Sequence, residues 1–149
     1  MVACFVIITS MTYINRDTTA KDRNLQIRNI LLSIRELNQM NEVNATTKDL
    51  IAFIAHNLRE IYAGIDSSVQ AWEKRGYWVK ADKYRMEWMW TEGTADRISK
   101  ALLSENYVEV ISTLPKIFEK FKETTLPKSA KLPADHAGSF ERLKALRSE

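Results

Sequence analysis

From Thr46 to Leu103 the hydrophobic positions recur at alternating steps of three and four. Ile51, Ile54, Leu58, Ile61, Ile65, Ser68 and Trp72 share one face of a helix. Val69 broadens that stripe, and Leu50, Phe53 and Tyr62 flank it. Lys74-Arg75-Gly76 reads as the helix end, because cations suit the negative end of the macrodipole and Gly suits the left-handed position beyond the last turn. Tyr77, Ala81, Tyr84, Trp88, Thr91, Ala95, Ile98 and Leu102 then keep the same spacing. A second helix is expected over that stretch, continuous through Gly93 even though Gly there costs about 1 kcal/mol against Ala.

These two arms predict an antiparallel helical hairpin. With the turn centred on Gly76 and Tyr77, Trp72 faces Ala81 and Trp88 falls beside Gly64 and Ile65. Val69 meets Tyr84, and Leu58 meets Ala95. Large side chains oppose small ones along the seam, as close packing requires.

Three capping pairs mark helix starts: Thr19 with Asp22, Thr46 with Asp49, and Asn106 with Glu109. The first predicts a helix from about Ala20 to Met40 that carries Leu25, Ile27, Ile30, Leu31, Ile34 and Leu37. Asn44-Ala45-Thr46 matches a glycosylation sequon, but Thr46 reads as a cap. After Asn106 the apolar stripe is Val108, Ile111, Leu114, Ile117, Phe118 and Phe121, with Pro115 inside it. Either the helix kinks there, or Thr113 caps a second short helix with Pro115 in its first turn. Both alternatives put the phenylalanines on one face. Ser139 is expected to cap a last short helix bearing Phe140, Leu143 and Leu146.

The pattern thus predicts an all-α antiparallel up-down bundle of about four main helices. Residues 1–18 form an N-terminal arm, 19–123 the bundle, and 124–149 a basic linker with a short C-terminal helix. Met1 to Ser10 is apolar but too short to cross a bilayer, and it lacks the basic start and cleavage pattern of a secretory signal. A strand, a packed arm, or a start-site artefact with Met11 as the true start all remain open for it.

Composition adds limits. A chain of 149 residues can bury one core, and four Gly and three Pro argue against a fold rich in tight turns. One cysteine, Cys4, excludes an internal disulfide framework and favours a reducing compartment, so a cytoplasmic protein with no membrane association is expected. The net charge of +3 is concentrated at the end: residues 115–149 hold eight basic and five acidic side chains, whereas residues 1–114 hold 14 of each.

Candidate chemistry is sparse. Helical bundles hold metals through Glu-x-x-His pairs on facing helices. The chain has none, only His56 and Glu60 four apart, with Glu92 and Asp96 placed opposite. Cys4 and His136 have no evident base or nucleophile beside them, and no Gly-rich phosphate loop is present. The sequence therefore predicts a non-enzymatic protein with no cofactor.

Two surface readings remain. All four tryptophans lie between Trp72 and Trp90, interleaved with Lys74, Arg75, Lys80, Lys83 and Arg85. Rings that stack bases beside cations that track phosphates suit single-stranded nucleic acid. Against this, Trp72, Tyr77, Tyr84 and Trp88 fall on the seam, and Glu73, Asp82 and Glu87 offset the charge. The second reading is a protein interface. Trp78, Met86, Met89 and Trp90 lie off the seam, and a helix apolar on several sides needs several neighbours. Self-association, or membership of a larger assembly, through those four residues is the leading expectation. Nucleic-acid binding through the basic hairpin turn and the basic C-terminal tail is second, and a carboxylate-rich metal bundle third.

Overall fold

The computed structural model describes the backbone from Val2 to Ser148 and the side chains from Ala20 to Arg147. Among the described residues the fold is all-α, with six α-helices, one short 3-10 turn and no strand. Among them no helix is long and apolar enough to cross a membrane.

The central element is α2 (Ala45–Lys74). Its residues from Leu50 to Ala55 are all buried, which a helix reaches only when neighbours cover every side. From Leu58 onward burial narrows to the predicted stripe of Leu58, Ile61, Ile65 and Val69.

On one flank lies α1 (Val2–Leu37). Gln26 donates to Glu60 at 3.2 Å and Asn29 donates to Asn57 at 3.3 Å, so the two helices run antiparallel. The Asn pair is buried, and Asn57 also donates to the Phe53 carbonyl. Sliding α1 along α2 would strand these amides, so the pair selects the register. The expected start near Ala20 is not used, because the backbone stays helical from Val2 through Thr19 and Asp22. The helix ends at Leu37, not Met40. The reading of residues 1–18 as a separate arm concerns side chains outside the described residues.

The cap of α2 is Asn44. Its Oδ1 accepts the Thr47 amide at 3.0 Å, and its own amide donates to Thr47 Oγ1 at 3.3 Å. This replaces the expected Thr46–Asp49 box and frees Asp49 for another role. At the other end Gly76 takes φ +83°, as expected for a left-handed cap. The amides of Gly76 and Tyr77 close onto the carbonyls of Glu73 and Trp72.

The returning arm is not the single rod expected. It divides into α3 (Trp78–Trp88) and α4 (Trp90–Leu103) at Met89. Met89 itself keeps αR backbone angles (φ −65°, ψ −18°), and the Thr91 hydroxyl donates to the Trp88 carbonyl at 2.7 Å beside it. The seam itself holds: Ala81, Thr91, Ala95, Ile98 and Leu102 are buried. Tyr77 is the exception and stands exposed outside the turn. Trp72 packs against Tyr84 with ring centroids 4.9 Å apart and planes tilted by 52°. Long side chains lean toward the N-terminus of their own helix, so in an antiparallel pair they meet beyond the residue directly opposite.

A left-handed residue also ends α4. Glu105 has φ +59°, and the Asn106 amide reaches back to the Ala101 carbonyl at 2.7 Å. Asn106 then caps α5 (Tyr107–Lys120) by accepting the Glu109 amide, as expected. α5 is one helix with Pro115 inside it, and Thr113 donates back to the Glu109 carbonyl in place of capping a new helix. The phenylalanines do not share a face: Phe121 is buried and Phe118 is exposed.

The C-terminal α6 (Ser139–Ser148) docks on α2, with Leu143 in the core. The segment before it is held by Arg35, which donates to the carbonyls of Ala130 at 2.6 Å and Pro127 at 3.4 Å.

Glycine positions separate two backbone effects. A Cβ at Gly93 would meet nothing within 4 Å, whereas Gly76 needs its positive φ. Gly93→Ala is expected to raise stability by about 1 kcal/mol, and Gly76→Ala to lower it by about 1 kcal/mol. Urea denaturation midpoints of the two variants check both signs.

Candidate functional site

Two kinds of surface can carry function: a polar cleft around His56, and apolar faces left without a neighbour.

The polar cleft lies among α1, α2 and α6 and is lined by His56, Asn57, Arg59, Glu60, Asp135 and Arg142, among others. Its groups are engaged with one another. His56 Nε2 donates to the Ser139 carbonyl at 3.0 Å, because a carbonyl can only accept. Arg59 pairs with Asp96 at 3.2 Å, and Glu60 accepts from Gln26. Arg142 donates to the Asp135 carbonyl and to Ser139 Oγ. The four residues of the metal reading are thus not gathered, and no group of three or more His, Cys, Asp or Glu could hold a metal among the described residues. The side chain of Cys4 lies outside the described residues.

These contacts instead hold α6. Asp49, placed on α2, accepts the amides of Gly138 at 3.1 Å and Phe140 at 3.0 Å. It caps α6 from a different helix, and its charge suits the positive end of the dipole. The expected cap, Ser139, is the first residue of α6 and donates to the His136 carbonyl at 2.7 Å.

The apolar faces are more informative. In α3 only Ala81 is fully buried, with Tyr84 and Trp88 partly buried on the same side. Trp78, Val79, Met86 and Met89 fall together on the opposite side at helical spacing. Trp78 is 60% exposed, Met86 72% and Met89 53%. Three of the four predicted interface residues therefore share one outward face. Trp90 does not join them: it begins α4 and packs on Phe121 at 5.4 Å, under Lys120.

The predicted nucleic-acid residues are partly engaged. Arg85 bridges Glu73 at 3.1 Å and Asp82 at 2.8 Å. Lys80 lies over the Trp72 ring at 4.6 Å. Lys74, Arg75 and Lys83 are exposed.

A second apolar surface escaped the sequence reading. α5 buries Val110, Ile117 and Phe121, yet Val108, Ile111 and Phe118 face outward, Ile111 66% and Phe118 51% exposed. Ile111 and Phe118 wall an open groove of about 640 Å³, whose other side is Ile34 from the end of α1 with Met40 and Val43 from the connection after it. The signal was present: apolar positions in α5 cover more than one helical face. No protein-family model matches the chain, and comparison with curated proteins and with solved structures also finds no match.

Burial lowers the affinity of His56 for a proton below the ordinary imidazole value of 6.5, against the raising effect of the Ser139 carbonyl. Arg142 and Arg59 lower it further, and Glu60 opposes them. The unfolded chain then takes up the proton first as pH falls. The stabilisation is complete above about pH 6.5 and is lost as pH drops through that region toward the folded value. Between about pH 7.5 and 5.5 the melting temperature is expected to fall more steeply in the wild type than in His56→Gln. Thermal denaturation followed by circular dichroism at each pH checks the difference.

Proposed function

We propose that this chain is a non-enzymatic helical interaction protein that self-associates. The observation that carries this reading is the outward face of α3, where Trp78, Val79, Met86 and Met89 stand exposed on one side of a helix already packed through the other. Large apolar side chains grouped on a surface mark interfaces, and Trp and Met are enriched there. Engagement of the polar cleft in holding α6 supports a structural role for its ionisable groups.

A second reading rests on Tyr77 and Trp78, both exposed beside Lys74 and Arg75 at the hairpin turn. Exposed rings next to cations could stack single-stranded bases. The pairing of Arg85 with two carboxylates weakens that reading.

Sedimentation equilibrium tests the first. The wild type is expected to exceed a monomer, and Trp78→Glu with Met86→Glu to weaken association by about 2 kcal/mol or more, roughly thirtyfold in Kd. A wild type that stays monomeric at high concentration rejects self-association. For the second, fluorescence anisotropy with a labelled single strand should show binding that weakens steeply with salt. No binding at low salt rejects it.

A further inference from the structure

The turn between α2 and α3 stands clear of the body. Every residue from 74 to 80 is exposed, with Tyr77, Trp78 and Val79 in succession among them. Val79 is 81% exposed, although an aliphatic side chain gains most from leaving water. The two rings beside it each join an apolar body to a polar tip, a combination that settles where lipid meets water.

Cations surround this apolar tip. Residues 73–85 hold five (Lys74, Arg75, Lys80, Lys83, Arg85) against two acids (Glu73, Asp82). Arg85 bridges both acids, and Lys80 lies over the Trp72 ring. Lys74, Arg75 and Lys83 are exposed and have no carboxylate partner among the described residues. The next acid along α3, Glu87, lies two turns beyond Val79 and so away from the tip. The tip thus offers uncompensated positive charge around an apolar centre, a match for an anionic surface with an apolar interior.

The start of the chain comes in from the same end. Asn29 meets Asn57, Gln26 meets Glu60, and Arg23 meets Tyr84 and Trp88 of α3. Followed backward, α1 therefore climbs α2 toward the turn. The sequence leading into it holds no charged residue before Arg16 and is apolar at every position from 2 to 8. Such a run has nothing to offer phosphates or bases, but it suits the acyl boundary of a bilayer. Among the described residues no helix is long and apolar enough to cross a membrane, and attachment to one leaflet requires no crossing.

We infer that the α2–α3 turn, with the uncharged run that approaches it, seats this chain on an anionic lipid surface. Tyr77, Trp78 and Val79 enter the headgroup boundary while Lys74, Arg75 and Lys83 meet the headgroups. This replaces the expectation of no membrane association, and it does not depend on the self-association reading.

The test mixes the full-length chain with vesicles of phosphatidylcholine, with and without phosphatidylserine, and measures the bound fraction by flotation. The chain is expected on the phosphatidylserine vesicles, with binding to phosphatidylcholine alone weaker by about tenfold or more. Lys74→Glu with Arg75→Glu is expected to weaken binding about thirtyfold, and Val79→Asp about tenfold. All three side chains are exposed, so both variants should keep the wild-type circular dichroism, and Trp78, Met86 and Met89 stay in place for self-association. Cys4 is the one cysteine, so a fluorophore attached there reports on the first residues alone. On phosphatidylserine vesicles it is expected to become shielded from iodide. No vesicle binding, equal binding to both compositions, undiminished binding by either variant, or a label that iodide still quenches each overturns the inference. A chain that associates in sedimentation equilibrium but ignores vesicles loses this inference and keeps self-association.

Discussion

Complete burial of α2 between Leu50 and Ala55 is the constraint on which the rest depends. A helix hidden on every side needs several partners, and α1, α3, α4 and α6 all pack directly against it. The buried Asn29–Asn57 pair gives one of those contacts a single register. α5 reaches the core through α4 and α1, which leaves its far side open. The groove is thus a consequence of how the helices share one central rod.

Much of this order was legible in the chain. The stripe from Ile51 to Val69 and its return through Ala81, Ala95, Ile98 and Leu102 are buried as their spacing predicts. Gly76 turns where a left-handed residue was required. Local hydrogen bonding was harder to read. Asn44 won the cap of α2 over Thr46, and Asp49 serves a segment 89 residues away. No pattern within a helical turn reveals a partner that only tertiary structure supplies. The break falls at Met89, not at Gly93, the residue with the weaker helical preference.

The surfaces divide along the same line. Trp78, Met86 and Met89 were recognisable because they fall off a well-defined seam. Trp90 also falls off that seam but meets Phe121 of the following helix, a contact that depends on how α5 returns. The groove was hidden because Ile111 and Phe118 look, in sequence, like members of the same core stripe as Ile117 and Phe121.

The docking of α6 has a consequence for the chain's end. A helix of ten residues has too few internal bonds to persist by itself in water. Its first amides are accepted by Asp49, which belongs to α2. Detachment would remove the acceptor and the apolar support together, so leaving the body and melting are one event. The last segment is conditionally ordered: it exists as a helix only while seated, and no free helical form stands between the docked state and random coil.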